Sequence, residues 1–313
     1  MSKTIYLDNN ATTKVAPEVV EAMMPFFCEN YGNPSSMHAF GGKVSEHLER
    51  ARKEAASFIN AEPEEIIFTS CATESDNTAI RGTAERSGKD LKIITSAVEH
   101  PAVLQPCRRL KALGHEEVEI PVDGLGRLDF ERLESEVTEK SLVSIMWANN
   151  ETGVVFPMEK IAEICKSRGA LLHTDAVQAA GKIDIDVKKT PVDMLSISGH
   201  KFHAPKGVGI LYVRKGVNLK PFMLGGHQER SRRAGTENIP YIIGFAEACR
   251  LAKSTMAEES AALAKLRDRL ESGILRECPD TRVNGDRANR LPNTLNIGFE
   301  YIEGESIAYS LSE

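Results

Sequence analysis

The sequence contains no C-x-x-C pair. Its six cysteines, Cys28, Cys71, Cys107, Cys165, Cys249 and Cys278, are scattered, which argues against a zinc ribbon, a cluster-binding run or a disulfide framework and reads as reduced thiols. No stretch approaches the roughly 18 consecutive apolar residues of a membrane span, and the start, MSKTIYLDNNATT, has no apolar core of signal-peptide length. Positive charge is also in deficit: 39 Lys and Arg face 45 Asp and Glu, a net charge of −6. Without a basic run, neither nucleic acid nor an anionic membrane is expected as a partner. G-x-G-x-x-G and G-x-x-x-x-G-K-[ST] are both missing, which leaves nucleotide binding little support. Internal repeats and low-complexity tracts are absent. These absences predict a soluble, cytoplasmic protein.

What is present is the composition of a globular chain, 41% hydrophobic and 27% charged over 313 residues, long enough for one large domain and a smaller one. Apolar runs that stop at polar loops recur. Ile66–Thr69 leads into SCATESDN, Leu91–Thr95 into Val98-Glu99-His100-Pro101, and Leu142–Met146 into Trp147–Glu151. Ala170–Leu172 leads into His173–Gln178, Val192–Ile197 into Ser198–Lys201, and Val208–Val213 is one more strand. The alternation predicts an α/β fold with a mainly parallel sheet flanked by helices. Helices are expected after Pro17, over Lys43–Ile59, over Ala102–Leu113 and over Met158–Arg168, with Gly169 in the C-cap place. Ile5–Leu7 reads as a short strand and Asp8–Thr13 as turn chemistry. A helix over Ile242–Leu251 and a second one, with Leu263, Leu266, Leu270 and Ile274 on one face, bridge to a second, smaller α/β domain. The expected division is 15–255 for the large domain and 1–14 plus 256–313 for the small one. Glu303–Glu313 begins a helix that no cap or breaker ends, so the chain is expected to stop inside an element.

Polar groups at the strand ends carry the chemistry, because ligands of open α/β sheets sit at the strands' carboxyl edge. Pyridoxal phosphate needs an amine for a Schiff base, a carboxylate for its ring nitrogen, a flat group against the ring and donors for phosphate. Lys201, Asp175, His100 and the amides around Ala72 and Thr73 offer one of each, and Ser198 and His200 add donors beside the lysine. Thr73-x-x-Asp76 reads as a capping-box-like helix start whose N–H groups face the anion. Taken singly, each feature has an ordinary reading: a solvated lysine, a helix cap, a turn aspartate, a structural histidine, and a charged face at Arg230, Arg232 and Arg233. Their common location favours the cofactor. A metal hydrolase built on His173-x-Asp175 and His200-x-x-His203 lacks an identifiable third ligand, so no metal site is predicted.

SGHKFHAPKGVG, together with TSCATESDN, VEHPAV, NNETG, HTDAVQ and RRAGTEN in this order, resembles the cysteine desulfurases, most closely their nitrogen-fixation-type branch. The resemblance implies a fold-type-I pyridoxal-phosphate architecture and a homodimer. It also implies conversion of L-cysteine to L-alanine, with sulfur passed as a protein-bound persulfide to an iron–sulfur scaffold or another acceptor protein. By the same resemblance Lys201 is the Schiff-base lysine, and Ala72, Thr73, Ser198 and His200 contact the phosphate. Asp175 pairs with the ring nitrogen, His100 stacks and handles protons, and Gln178 and Asn150 lie near the phenolic oxygen and the substrate. Thr236 reaches the phosphate of the other subunit's cofactor. Cys71 stands where many relatives carry glycine and reads as a small residue near the phosphate. The family's sulfur-accepting cysteine and a substrate-carboxylate arginine would fall beyond Glu313, so the expectation is a chain that binds cofactor without turnover. A selenocysteine lyase or another β-eliminase would share the cofactor residues, and a catalytically silent subunit that docks sulfur acceptors is the third reading.

Overall fold

Apolar runs that end at turn-forming side chains become the strands of one sheet in the computed structural model, which describes residues 5–312. The strands are β1 (Ile66–Thr69), β2 (Lys92–Ser96), β3 (Glu117–Ile120), β4 (Ser141–Ser144), β5 (Leu171–Asp175), β6 (Met194–Ser198) and β7 (Gly209–Val213), in the order β1-β7-β6-β5-β4-β2-β3. Only β7 runs against its neighbours; β6, β5, β4, β2 and β3 pair in parallel. Strands β1 to β6 therefore all end on one edge. Residues of β1, β4, β6 and β7 are buried throughout, as expected of strands covered on both faces.

Nine helices surround the sheet among the described residues: α1 (Pro17–Met23), α2 (Pro25–Cys28), α3 (Ala39–Phe58), α4 (Ala72–Ser87), α5 (Pro101–Ala112), α6 (Phe130–Glu136), α7 (Met158–Arg168), α8 (Ile239–Glu277) and α9 (Gly304–Ser312). α4 and α5 cover one face through Ile80, Val103 and Leu110 against Ile93, Leu142 and Leu211. α1, α3, α7 and α8 cover the other through Val44, Ile161 and Phe245 against Ile66, Leu172 and Ile197. Each such fully buried side chain contributes about 1.5–3 kcal/mol. β8 (Thr281–Val283) and β9 (Ile297–Phe299) form a separate antiparallel pair. It is fastened by Val155 N–H to Asn289 O, Leu291 N–H to Gly153 O, and Arg290 paired with Glu271. No described helix is long and apolar enough to cross a membrane.

Several expectations are corrected. Ile5–Leu7 is exposed coil, and no described strand pairs with it. The two helices expected after Ile242 are one helix of 39 residues, because no glycine or proline interrupts Leu251–Leu270. β4 stops at Ser144, although Ile145 and Trp147 still donate their N–H groups to His173 O and Asp175 O of β5. β3, α6 and β8 are additions, and residues 1–4 of the 1–14 segment and Glu313 lie outside the described residues.

Candidate active site

The reversal of β7 decides where the chemistry gathers. Gly209, its first residue, lies between Thr69 of β1 and Ser198 of β6. A Cβ there would stand 2.6 Å from Ile197 O and about as close as packing allows to Cys71 and Ala72. Only hydrogen lets the start of α4 approach the end of β6 this closely. Cys71 is the N-cap of α4, so the amides of Ala72 and Thr73 occupy the first turn, where no preceding carbonyl serves them. Ala72 is buried and Thr73 exposed. The expected Thr73-x-x-Asp76 box does not form, because Asp76 is driven into the interior. Glu74 reaches back instead, accepting from Ser70 N–H (2.8 Å) and Ser70 Oγ (2.6 Å) and holding Arg233 at 2.8 Å. Arg233 is therefore no solvated surface charge.

Beyond β6 the chain makes one 3-10 turn, Gly199–Lys201. The Lys201 ammonium donates to Asn10 O and, at 2.9 Å, to Ala11 O. Burial holds its pKa below the ordinary lysine range, with Asp175 and Asp8 opposing. His200 accepts at Nδ1 or donates from it to Thr12 Oγ1 at 3.1 Å, and its carbonyl takes both N–H and Oγ1 of Thr13. Burial, aided by Lys201, Lys206 and Lys182, lowers His200 to about 4, so it is neutral. Ser198 is buried at the end of β6.

Asp175 closes β5 and is 7% exposed. Its Oδ1 accepts the Val177 N–H at 2.9 Å, and no described residue donates to Oδ2. Burial raises its pKa, against the Val177 N–H and the charges of His100 and Lys201. Behind it lie two further carboxyls. Asp76 is fully buried with neither oxygen hydrogen-bonded, and burial followed by the Asp175 charge pushes it up strongly. Glu99 accepts from Ser96 Oγ (2.6 Å) and Met146 N–H (2.8 Å), and burial pushes it up to about 8. His173 bonds Ser144 and Ser196 through its two ring nitrogens. Burial lowers it to about 3, so the imidazole that approaches Asp76 at 3.5 Å is neutral. Burial thus pushes all three carboxyls up, and of the three only Asp175 has the charges of His100 and Lys201 drawing it back down.

His100 caps α5, accepting the Ala102 N–H at Nδ1 (3.1 Å), so its exposed ring carries any proton at Nε2. Gln178 is buried and donates through Nε2 to Asn10 O at 2.9 Å. Asn150 is half-buried, with its carbonyl accepting Asn10 Nδ2 at 3.2 Å. Thr236 lies exposed in the loop before α8 and is not gathered with the others. The sequence reading missed Asn10: its side chain also meets Asn293 and Thr294, so one asparagine ties Lys201, Gln178, Asn150 and the segment before β9 together. The buried amide of Asn149 organises the adjoining turn through Glu151, Thr152 and Val98. The only available signal was the density of hydrogen-bonding side chains in DNNATT and NNETG. Among the described residues no group of three or more His, Cys, Asp or Glu side chains is arranged to hold a metal ion.

These residues fit pyridoxal phosphate on the structure's own terms. A carboxylate with one free oxygen faces a half-buried lysine of lowered pKa, and a glycine-permitted helix start offers unserved N–H groups beside them. The aminotransferase class-V family matches residues 5–313. A cysteine desulfurase of Trichormus azollae is 54% identical over 310 residues, covering 99% of this chain and 78% of the relative. The cysteine desulfurase NifS of Azotobacter vinelandii is 51% identical over 311 residues, covering 99% and 77%. A solved NifS-like protein superposes with a TM-score of 0.96 at 43% identity, over 99% of this chain and 86% of that one. The sheet order, the strand-end lysine and aspartate, and this likeness along the chain agree: it belongs to the class-V aminotransferases, in their pyridoxal-phosphate-dependent, NifS-type cysteine desulfurase branch.

Proposed function

We propose that this chain is a cysteine desulfurase that takes L-cysteine to L-alanine, with Lys201 as the residue that anchors pyridoxal phosphate. The observation that carries the reading is the pairing of a lysine of lowered pKa with a buried, partly unsatisfied carboxylate at adjacent strand ends. Asp175 would hold the ring nitrogen, the α4 amides of Ala72 and Thr73 with Ser198 and His200 the phosphate, and Gln178 and Asn150 the phenolic side. When bound there, the cofactor supplies a sink for the electrons left by a broken bond at the substrate's α-carbon.

The side chains do the rest. Lys201, whose pKa burial lowers, would take the α-proton, and the exposed Nε2 of His100 could take or return a proton beside it. Sulfur leaves the substrate by attack of a thiolate. Cys107, Cys165 and Cys249 are unsuited to that: all are buried, and burial pushes their thiols up, Cys165 to about 12. Cys71 caps α4 and Cys28 and Cys278 lie on helix ends, so the reading assigns the accepting thiol to none of the six. A homodimer in which Thr236 completes the partner's site, a cytoplasmic location, sulfur delivery to an iron–sulfur scaffold or another acceptor, and the division at 255/256, within α8, belong to the same reading.

Borohydride reduction of the cofactor-loaded protein followed by peptide mass analysis tests the anchor. The expected result is the phosphopyridoxyl mass on the Lys201 peptide, and none in Lys201→Ala. Labelling elsewhere, or retained in Lys201→Ala, overturns the reading. For the thiols, the cofactor-loaded chain should show cofactor colour without releasing sulfide from L-cysteine; normal turnover would place the accepting thiol among the six.

A further inference from the structure

A second lysine stands behind the first. Lys182 is 9% exposed, in a chain where burial of an ammonium is disfavoured unless its donors are served. Its Nζ donates to the backbone oxygen of Gln178 at 3.1 Å and lies 3.4 Å from Gln178 Oε1. Its own carbonyl is held by Ser260 Oγ of α8 at 2.8 Å. Gln178 Nε2 in turn donates to Asn10 O, the carbonyl that also takes Lys201 Nζ.

The chemistry of the donor settles the orientation of the amide. Asn10 O can only accept, and Lys182 Nζ has hydrogens to give whether or not it carries a charge. The end of the Gln178 amide turned toward Lys182 must therefore be the oxygen, and the end turned toward Asn10 and Lys201 must be the NH2 group. One of its hydrogens goes to Asn10 O, and no described acceptor takes the second. With the amide reversed, two donors would face each other at Lys182 and two oxygens at Asn10.

We infer that Lys182 is a positioning residue: it fixes the side-chain amide of Gln178 so that an N–H, rather than an oxygen, is presented to the anionic oxygen of the ligand held beside Lys201. The inference rests on the reading of Lys201 and Gln178 given above. Burial lowers Lys182 to about 7, with the Lys201 charge adding to the effect.

The test is the pH midpoint of the visible absorbance of the bound cofactor in the parent, Lys182→Met, Gln178→Leu and the double variant. Loss of an N–H donor to an anionic oxygen raises the midpoint, by about one pH unit for a hydrogen bond of this kind. Lys182→Met and Gln178→Leu should each raise it, and the double variant no more than Gln178→Leu alone. A parent-like midpoint in Lys182→Met beside a shifted Gln178→Leu, or shifts that add, overturns the role of Lys182. An unmoved midpoint in Gln178→Leu overturns the assignment of Gln178 itself and the inference with it. Should Lys182→Met not fold, glutamine-selective 15N NMR of the unsubstituted, cofactor-free protein reads the same contact. Slow solvent exchange of the Gln178 side-chain amide supports the lock, and exchange at the rate of a surface glutamine overturns it.

Discussion

Two groups of buried charge lie in this molecule, and they are built on opposite plans. Arg52 and Glu229 are 3% and 6% exposed. Their bond is a two-pronged one, 2.7 and 2.9 Å, with Glu229 also accepting Phe68 N–H at 3.0 Å and Arg52 donating to Ile66 O at 3.0 Å and lying over the Phe68 ring. Every prong is used. At the carboxyl edge of the sheet, both oxygens of Asp76 and Oε2 of Glu99 have no hydrogen-bond partner, and Asp76, Glu99, Asp175, Lys182 and Lys201 all have pKa values displaced against their charged forms. The first group is a clamp. It holds Glu229, Arg230 and Ser231, all at positive φ of 45, 58 and 63°, a conformation that costs roughly 1–2 kcal/mol per residue. The second group is reactive because it is unsatisfied, and the difference between full and partial pairing separates architecture from chemistry.

The contrast is broken most severely at the clamp. Arg52→Ala leaves Glu229 as an uncompensated buried charge, and chemical denaturation should show a loss of about 3–5 kcal/mol. Glu99→Gln acts in the other direction and only at high pH. A carboxyl raised from 4.5 to about 8 in the folded state keeps a proton that the unfolded chain has lost, so the parent loses stability as pH rises between those values. Thermal melts should coincide near pH 4 and favour the glutamine variant by several degrees at pH 9. Smallest is Asp76→Asn. Burial pushes its carboxyl strongly toward the neutral form that the amide mimics, so denaturation at pH 7 should move by less than about 0.5 kcal/mol. A large loss there would mean that Asp76 is ionised and paired, and would erase the distinction between the two groups.

Strands were legible because each buried parallel strand is a continuous apolar run ended by turn residues, and Gly169, at φ 71°, ends α7 where the spacing predicts. β3 was not, since Glu117-Val118-Glu119-Ile120 alternates as an edge strand does and carries two charges in four residues. Asp76 was misread because a carboxylate near a helix start is ordinarily a cap. Lys182 was passed over because lysines are ordinarily exposed. Asn10 acts through partners up to 284 residues away, a distance no local pattern spans. The residues of the candidate site were readable as a set through their motifs; their hydrogen-bonded supports were not.

α8 has a mechanical meaning beyond its packing. At 39 residues it is about 58 Å long. Its first half seats the loop of Lys201 through Phe245, whose ring meets Phe202 edge-on at 5.4 Å. Ser260, midway, holds Lys182, and farther on Arg267 donates to Leu291 O and Glu271 pairs with Arg290. That last segment carries Asn293 and Thr294 to Asn10. The alignment of the amine with its supporting asparagines is thus inherited from the continuity of a single spar, none of whose residues is in the site.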